Sequence, residues 1–158
     1  MDVWKKGYAK TGRGEVDMYL DTSVVAKLYF NEPESQRISV ILLENKSEFC
    51  SSELLIPEFN SVACRKLREK FVTHRQFREA IDKFMEHDKI GNWHLYPVAR
   101  ETLSCAGKLI EKLSGNIGLK TLDAIHLATC LEYSLFPLFT TDKVMLSAAK
   151  ELKIEIIC

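Results

Sequence analysis

Four acidic residues in this chain stand where acids can act together. Asp21 follows a short stretch at residues 16–20 that reads as a strand, and Asp142 follows a second at residues 135–140. Glu58 and Asp123 lie near the starts of helical patterns, each among apolar neighbours: Ile56-Pro57-Glu58-Phe59 and Leu122-Asp123-Ala124-Ile125. An acid at a helix start can serve simply as a partner for the helix dipole. In an open parallel sheet, however, ligands bind beyond the carboxyl ends of the strands, where Asp21 and Asp142 would both sit.

Carboxylates that meet in one crevice repel. At ~5 Å and an effective dielectric of ~20, each pair costs about 3 kcal/mol. Raised pKa values relieve this, and so does a hard cation. Oxygen ligands without His or Cys suit Mg²⁺ or Mn²⁺, and such ions can activate a water at a phosphate with no nucleophilic side chain.

The elements that must position these acids alternate along the chain. Strands are expected at residues 16–20, 48–51, 93–98, 135–140 and 154–157, with helical patterns between them. Thr22 or Ser23 is expected to cap the first helix, Pro33 to start the second, Thr73 to cap the fourth and Thr121 the sixth. Glu53, just after Ser51-Ser52, is expected to serve in capping. Strand–helix alternation predicts a parallel sheet between two layers of helices, a three-layer α/β fold. Residues 1–17 show no period and are expected to form a loose N-terminal extension, leaving 18–158 as one domain.

The chain has 158 residues, with 22 basic and 22 acidic side chains, so no global field announces a nucleic-acid partner. No apolar stretch is long enough to span a bilayer, and no secretory h-region follows the N-terminal basic residues. Five cysteines without a C-x-x-C spacing predict small buried hydrophobes, Cys64, Cys105 and Cys130 among them, in a reducing cytoplasm. Local positive charge concentrates in Arg65, Lys66, Arg68, Lys70, Arg75 and Arg78; Arg65 and Arg68 share a helix face downstream of Glu58. They are candidates for RNA phosphates, though a solvated helix face accounts for them equally. His126, one turn from Asp123, is expected to pack and hydrogen-bond rather than catalyse.

The segment Met18-Tyr19-Leu20-Asp21-Thr22-Ser23-Val24-Val25 resembles the opening motif of PIN domains, especially VapC-type toxins. Ser51 to Asn60, with Glu58 as its acid, is similar to their second motif. Leu119-Lys120-Thr121-Leu122-Asp123-Ala124-Ile125-His126 resembles the third, and Thr140-Thr141-Asp142 before a helix resembles the fourth. The resemblance runs from about Met18 to the C-terminus.

That resemblance implies a Mg²⁺- or Mn²⁺-dependent endoribonuclease working through a metal-activated water, often dimeric and often paired with an antitoxin protein. Asp21, Glu58, Asp123 and Asp142 would be its metal-binding acids, with Asp142 the fourth. Thr22, Ser23 and Thr140 would orient carboxylates or water through their hydroxyls. The helices at residues 38–43 and 77–85 would supply either a dimer interface or core. The alternatives are a catalytically silent RNA- or protein-binding module on the same fold, and a structure-specific DNA nuclease. The absence of an Asp two residues after Asp21, where Ser23 stands, argues against a haloacid-dehalogenase-like phosphatase.

Overall fold

The computed structural model describes residues 18–45 and 48–157. The extension at residues 1–17, with Asp17 and the first half of the expected opening strand, lies outside the described residues.

Five strands form one wholly parallel sheet: β1 (Met18–Leu20), β2 (Phe49–Ser52), β3 (His94–Tyr96), β4 (Leu138–Phe139) and β5 (Ile156–Ile157), in the order β3-β2-β1-β4-β5. Seven helices connect them: α1 (Thr22–Tyr29), α2 (Ser35–Glu44), α3 (Leu55–Arg68), α4 (His74–Lys89), α5 (Arg100–Leu113), α6 (Thr121–Tyr133) and α7 (Lys143–Glu151). The three-layer α/β expectation holds, and its reason is visible in alternation along the strands. Met18, Leu20, Phe49 and Phe139 point into one apolar cluster with residues of α1 to α4, while Tyr19, Cys50 and Leu138 point into the other with α5, α6 and α7.

Chain direction explains which helices lie where. From β1 the sheet grows one way through β2 and β3; it then returns past β1 to β4 and grows the other way to β5. Right-handed crossovers in opposite directions place their helices on opposite faces. The reversal leaves a switch point beside β1, between β2 and β4, and α6 completes it. Its stretch Ala124–Cys130 is buried on every side, as befits a helix pressed onto the sheet.

Several local expectations need correction. Asp21, not Thr22 or Ser23, caps α1: its carboxylate accepts from the Val24 amide, while both hydroxyl residues point elsewhere. α2 begins after Pro33, at Ser35. Glu53 makes no capping bond, and α3 starts without a side-chain cap, with Pro57 inside its first turn where the missing amide costs nothing. Thr121 is the first residue of α6 rather than its cap. Thr73 does cap α4, in a reciprocal capping box with Gln76. Cys64 is exposed and Cys105 half-buried, against the expectation of burial; Cys50 and Cys130 are buried, and none of the four is in a disulfide. Of the helices weighed as an interface, Ile38 and Leu42 are core and Phe77 and Ile81 pack against it, leaving Val40 and Met85 outward. No helix among the described residues is long and apolar enough to cross a membrane.

Candidate active-site cleft

The switch point opens into a cleft of about 670 Å³, lined in part by Asp21, Glu58, Asp123 and Asp142. A smaller hollow of about 580 Å³ beside α2 is lined by none of the four. Thus acids from β1's end, α3, α6 and the β4–α7 turn share one opening, with Arg65 and Lys120 on its rim.

Asp21 is the most constrained. Burial pushes its carboxyl above the ordinary range, opposed by the charge of His126 and by hydrogen bonds from Ser23 and Thr140. Ser23 Oγ donates to Oδ1 at 2.8 Å and Thr140 Oγ1 to Oδ2 at 2.8 Å, so both oxygens are held before any ligand arrives. Thr141 then ties the turn after β4 to Ser23, through its amide at 3.0 Å and its hydroxyl at 2.9 Å. The pair of loops following β1 and β4 is therefore stitched together by short polar side chains.

Glu58 faces a different partner. Its Oε2 is bonded by His126 Nε2 at 2.6 Å and by the Thr22 hydroxyl. Partial burial raises its pKa, but the His126 and Thr22 hydrogen bonds and the His126 charge outweigh burial and hold it below the usual range. Behind the imidazole, Tyr19 Oη lies 2.6 Å from Nδ1. Burial pushes the Tyr19 phenol well above its ordinary range, so it keeps its proton. Glu58, held as a carboxylate, accepts from the Nε2–H, and the Tyr19 hydroxyl bonds the other ring nitrogen. A chain Tyr19–His126–Glu58 thus runs from the sheet's centre to the cleft wall.

Asp123 and Asp142 are freer. Asp123 makes no hydrogen bond or ion pair among the described residues; burial raises its pKa first, then repulsion from Asp142, with Glu58 adding to it and His126 and Lys120 opposing. Asp142 caps α7, Oδ1 accepting from the amides of Val144 at 2.8 Å and Met145 at 2.9 Å. Its other oxygen carries no hydrogen bond among the described residues.

In kind, the donor set fits a hard cation: carboxylate oxygens, no thiolate, and an Asp123 whose neighbours repel its negative charge. Among the described residues no three His, Cys, Asp or Glu side chains already form a closed coordination group. Glu58 is turned to His126 and Asp21 to two hydroxyls, so the acids border one space without converging on one point.

The PIN domain family model matches residues 18–151. This chain belongs to the PIN domain family. No curated protein sequence matches the chain. Among solved structures this PIN domain is similar to Mycobacterium tuberculosis VapC20, a sarcin–ricin loop cleaving toxin, with TM-score 0.66 and 14% identity over 83% of this chain and 94% of that one. It is also similar to FitAcB from Neisseria gonorrhoeae, with TM-score 0.66 and 14% identity over 89% of this chain and 96% of that one. A third is VapBC2 from Rickettsia felis bound to a DNA fragment from their promoter, with TM-score 0.63 and 12% identity over 90% and 98%. At such identities the likeness is one of fold.

Sequence reasoning named the four acids and the hydroxyls of Thr22, Ser23 and Thr140, all of which lie at this PIN-domain cleft or bond to its carboxylates. It missed Tyr19. The only signal was a phenol in the middle of an otherwise aliphatic strand, and its partner lies 107 residues away. His126 does hydrogen-bond, as expected, but to a cleft acid. Arg65 lines the cleft; Arg68 is exposed one turn further along α3.

Proposed function

We propose that this PIN-domain chain is an endoribonuclease dependent on Mg²⁺ or Mn²⁺, and the toxin member of a toxin–antitoxin pair. One observation carries the reading: in a PIN-family fold, four separated acids border a single cleft at the sheet's switch point, and Asp123 is repelled by two of the others. The antitoxin partner is supported by the similarity to FitAcB and VapBC2, and by a further similar structure, a Klebsiella pneumoniae toxin–antitoxin complex. The RNA substrate draws support from VapC20, which cleaves the sarcin–ricin loop. Self-association into a homodimer and a cytoplasmic location go with the same reading.

Asp21, Glu58, Asp123 and Asp142 would hold the ion, which when bound supplies water activation and charge neutralisation at the phosphate. The chain's own work is positioning. Ser23 and Thr140 fix both oxygens of Asp21, and Thr22 and His126 fix one oxygen of Glu58. Asp123 and the free oxygen of Asp142 present negative charge across the cleft. Arg65 and Arg68 sit where a substrate backbone leaving the cleft along α3 meets cationic side chains.

Purified protein incubated with RNA and Mn²⁺, beside Asp21→Asn and a chelated control, tests this. Cleavage that needs the metal and disappears in the variant is the expected result; RNA left intact with every divalent ion refutes it. The His126 contact on Glu58 favours one second reading, a silent RNA- or protein-binding module, because it occupies an acid a cation would use. That reading predicts RNA binding without turnover in the same tubes. Preference for branched DNA over RNA would instead mark a DNA nuclease.

A further inference from the structure

The connection between α3 and α4 carries a feature that folding does not require. α3 ends in a Schellman motif, the Lys70 amide bonding the Leu67 carbonyl at 3.0 Å and the Phe71 amide the Lys66 carbonyl at 2.9 Å. The motif needs a left-handed residue, and it is Lys70, at φ 61°, rather than glycine. The residue after it usually covers the last turn with an apolar contact. Here that residue is Phe71, and it is 74% exposed. The last turn offers it only Arg65 and Lys66, and the Lys66 ammonium is already drawn to Glu32 at 2.7 Å and over the Phe30 ring.

The ring nevertheless stands on firm ground. Val72 packs against the core and Thr73 caps α4, so the backbone on both sides of Phe71 is fixed. The surrounding charge is one-sided in a chain of zero net charge: residues 65–78 hold six basic side chains against the lone carboxylate of Glu69. Lys66 and Arg75 have acidic partners, Glu32 and Glu79, and Arg78 lies over the Phe77 ring. Arg65, Arg68 and Lys70 have no ion-pair partner among the described residues. Arg65 lines the acidic cleft, about 10 Å along the helix axis from Glu58, and Arg68 follows at about 15 Å on the same stripe.

Resting on the nuclease reading above, we propose that Phe71 is a stacking platform for an unpaired base of single-stranded RNA, with Arg65, Arg68 and Lys70 guiding the phosphates between it and the cleft. Aromatic rings take any base by its π-face, and a basic track supplies sequence-independent backbone affinity. An exposed ring on a fixed backbone, at the end of a cationic stripe that begins at the acids, has both parts. The platform would hold a substrate in unpaired form a few nucleotides from the cleavage point.

The test is binding of a fluorescein-labelled single-stranded RNA to the full chain in EDTA, where cleavage is blocked, followed by anisotropy. Phe71→Ala should weaken binding about 5- to 100-fold, with Phe71→Trp restoring it. The variant and the wild type should bind an RNA strand lacking bases equally, and the salt slope should stay the same, since no phosphate contact is lost. Arg68→Ala should weaken both strands and flatten the slope. Melting temperature should not move in Phe71→Ala. Equal affinity of wild type and Phe71→Ala for the base-bearing RNA overturns the platform, as does failure of the wild type to bind it. A fall in oligomer mass in Phe71→Ala, with RNA affinity unchanged, would make the ring a contact between copies instead. The Mn²⁺ cleavage assay on wild-type protein is read separately: cleavage with no role for Phe71 removes only the platform, whereas binding through Phe71 without cleavage removes only the nuclease.

Discussion

The two walls of the cleft are built on opposite plans. On the Asp21–Glu58 side both carboxylates are held: hydroxyls bond both oxygens of Asp21, Thr22 and an imidazole bond one oxygen of Glu58, and the Tyr19 phenol bonds the imidazole. On the Asp123–Asp142 side one carboxylate is without hydrogen bonds among the described residues and the other spends one oxygen on a helix cap. The first wall is positioned by folding alone. The second keeps an electrostatic debt, because Asp123 is raised by burial and by its acidic neighbours. A site that binds a cation needs both: a rigid wall to set geometry, and an unsatisfied one to make the cation worth binding.

Removing the charge on the open wall should have the largest effect. Asp123→Asn should reduce Mn²⁺-dependent RNA cleavage by about 10²-fold or more, the scale for losing an electrostatic group at a reacting centre. Initial cleavage rates of purified wild type and variant check this, and undiminished cleavage would mean that the open wall is not where the chemistry occurs.

Breaking the hydrogen-bonded wall should show in stability instead. His126→Ala leaves the Tyr19 hydroxyl and Glu58 without their shared partner in a buried place. The lost hydrogen bonds and the cavity should cost about 3 kcal/mol, a Tm lower by roughly 6–12 °C without metal. Thermal unfolding in EDTA measures it. A drop below 2 °C would show that the chain of hydrogen bonds contributes little.

A direct contrast follows from adding metal. Mg²⁺ or Mn²⁺ at a hundred times its Kd should stabilise the wild type by about 2.7 kcal/mol, roughly 5–10 °C in Tm, while Asp123→Asn should gain far less. Equal gains would place the ion elsewhere.

Asp21 is raised in the folded state, so between its unfolded pKa and its raised folded value the native protein binds more protons than the unfolded chain. Asp21 therefore stabilises the fold below the ordinary carboxylate range relative to above it, and stability falls as pH climbs through that window. Glu58 is lowered, and by the same reasoning its contribution is present above its unfolded pKa and lost as pH falls through its folded value. In EDTA at neutral pH, Asp21→Asn should melt at or above the wild-type temperature, since it keeps the shape and removes a buried charge. A markedly lower Tm would mean that the hydroxyls of Ser23 and Thr140 compensate that charge in full.

How much of this could be read from the chain depended on whether the information was local. Strand-end acids and short polar residues beside them announce themselves by position, and the parallel three-layer fold follows from alternation. Caps were less legible: Asp21 and its neighbours Thr22 and Ser23 are all good capping residues, and only the packed structure shows that the hydroxyls of Thr22 and Ser23 are needed elsewhere. Tyr19 was illegible, since nothing in an apolar strand says that a phenol will meet an imidazole from α6. Phe71 and the left-handed Lys70 were equally silent, because a chain pattern shows which residues are apolar but not which are left uncovered.

The finest test of the contrast is Asp142, which belongs to both plans at once. As the cap of α7 it is part of the fold; its negative charge also pushes up the Asp123 carboxyl across the cleft. Asp142→Ala removes cap and charge, and should cost about 1 kcal/mol, a Tm shift of roughly 2–4 °C. Asp142→Asn keeps an acceptor for the Val144 and Met145 amides and removes only the charge. If Asp142 serves the cleft, the Asn variant should retain nearly full stability yet lose metal-dependent cleavage in step with the Ala variant. If it serves only the helix, the Asn variant should cleave like the wild type, and the open wall would consist of Asp123 alone.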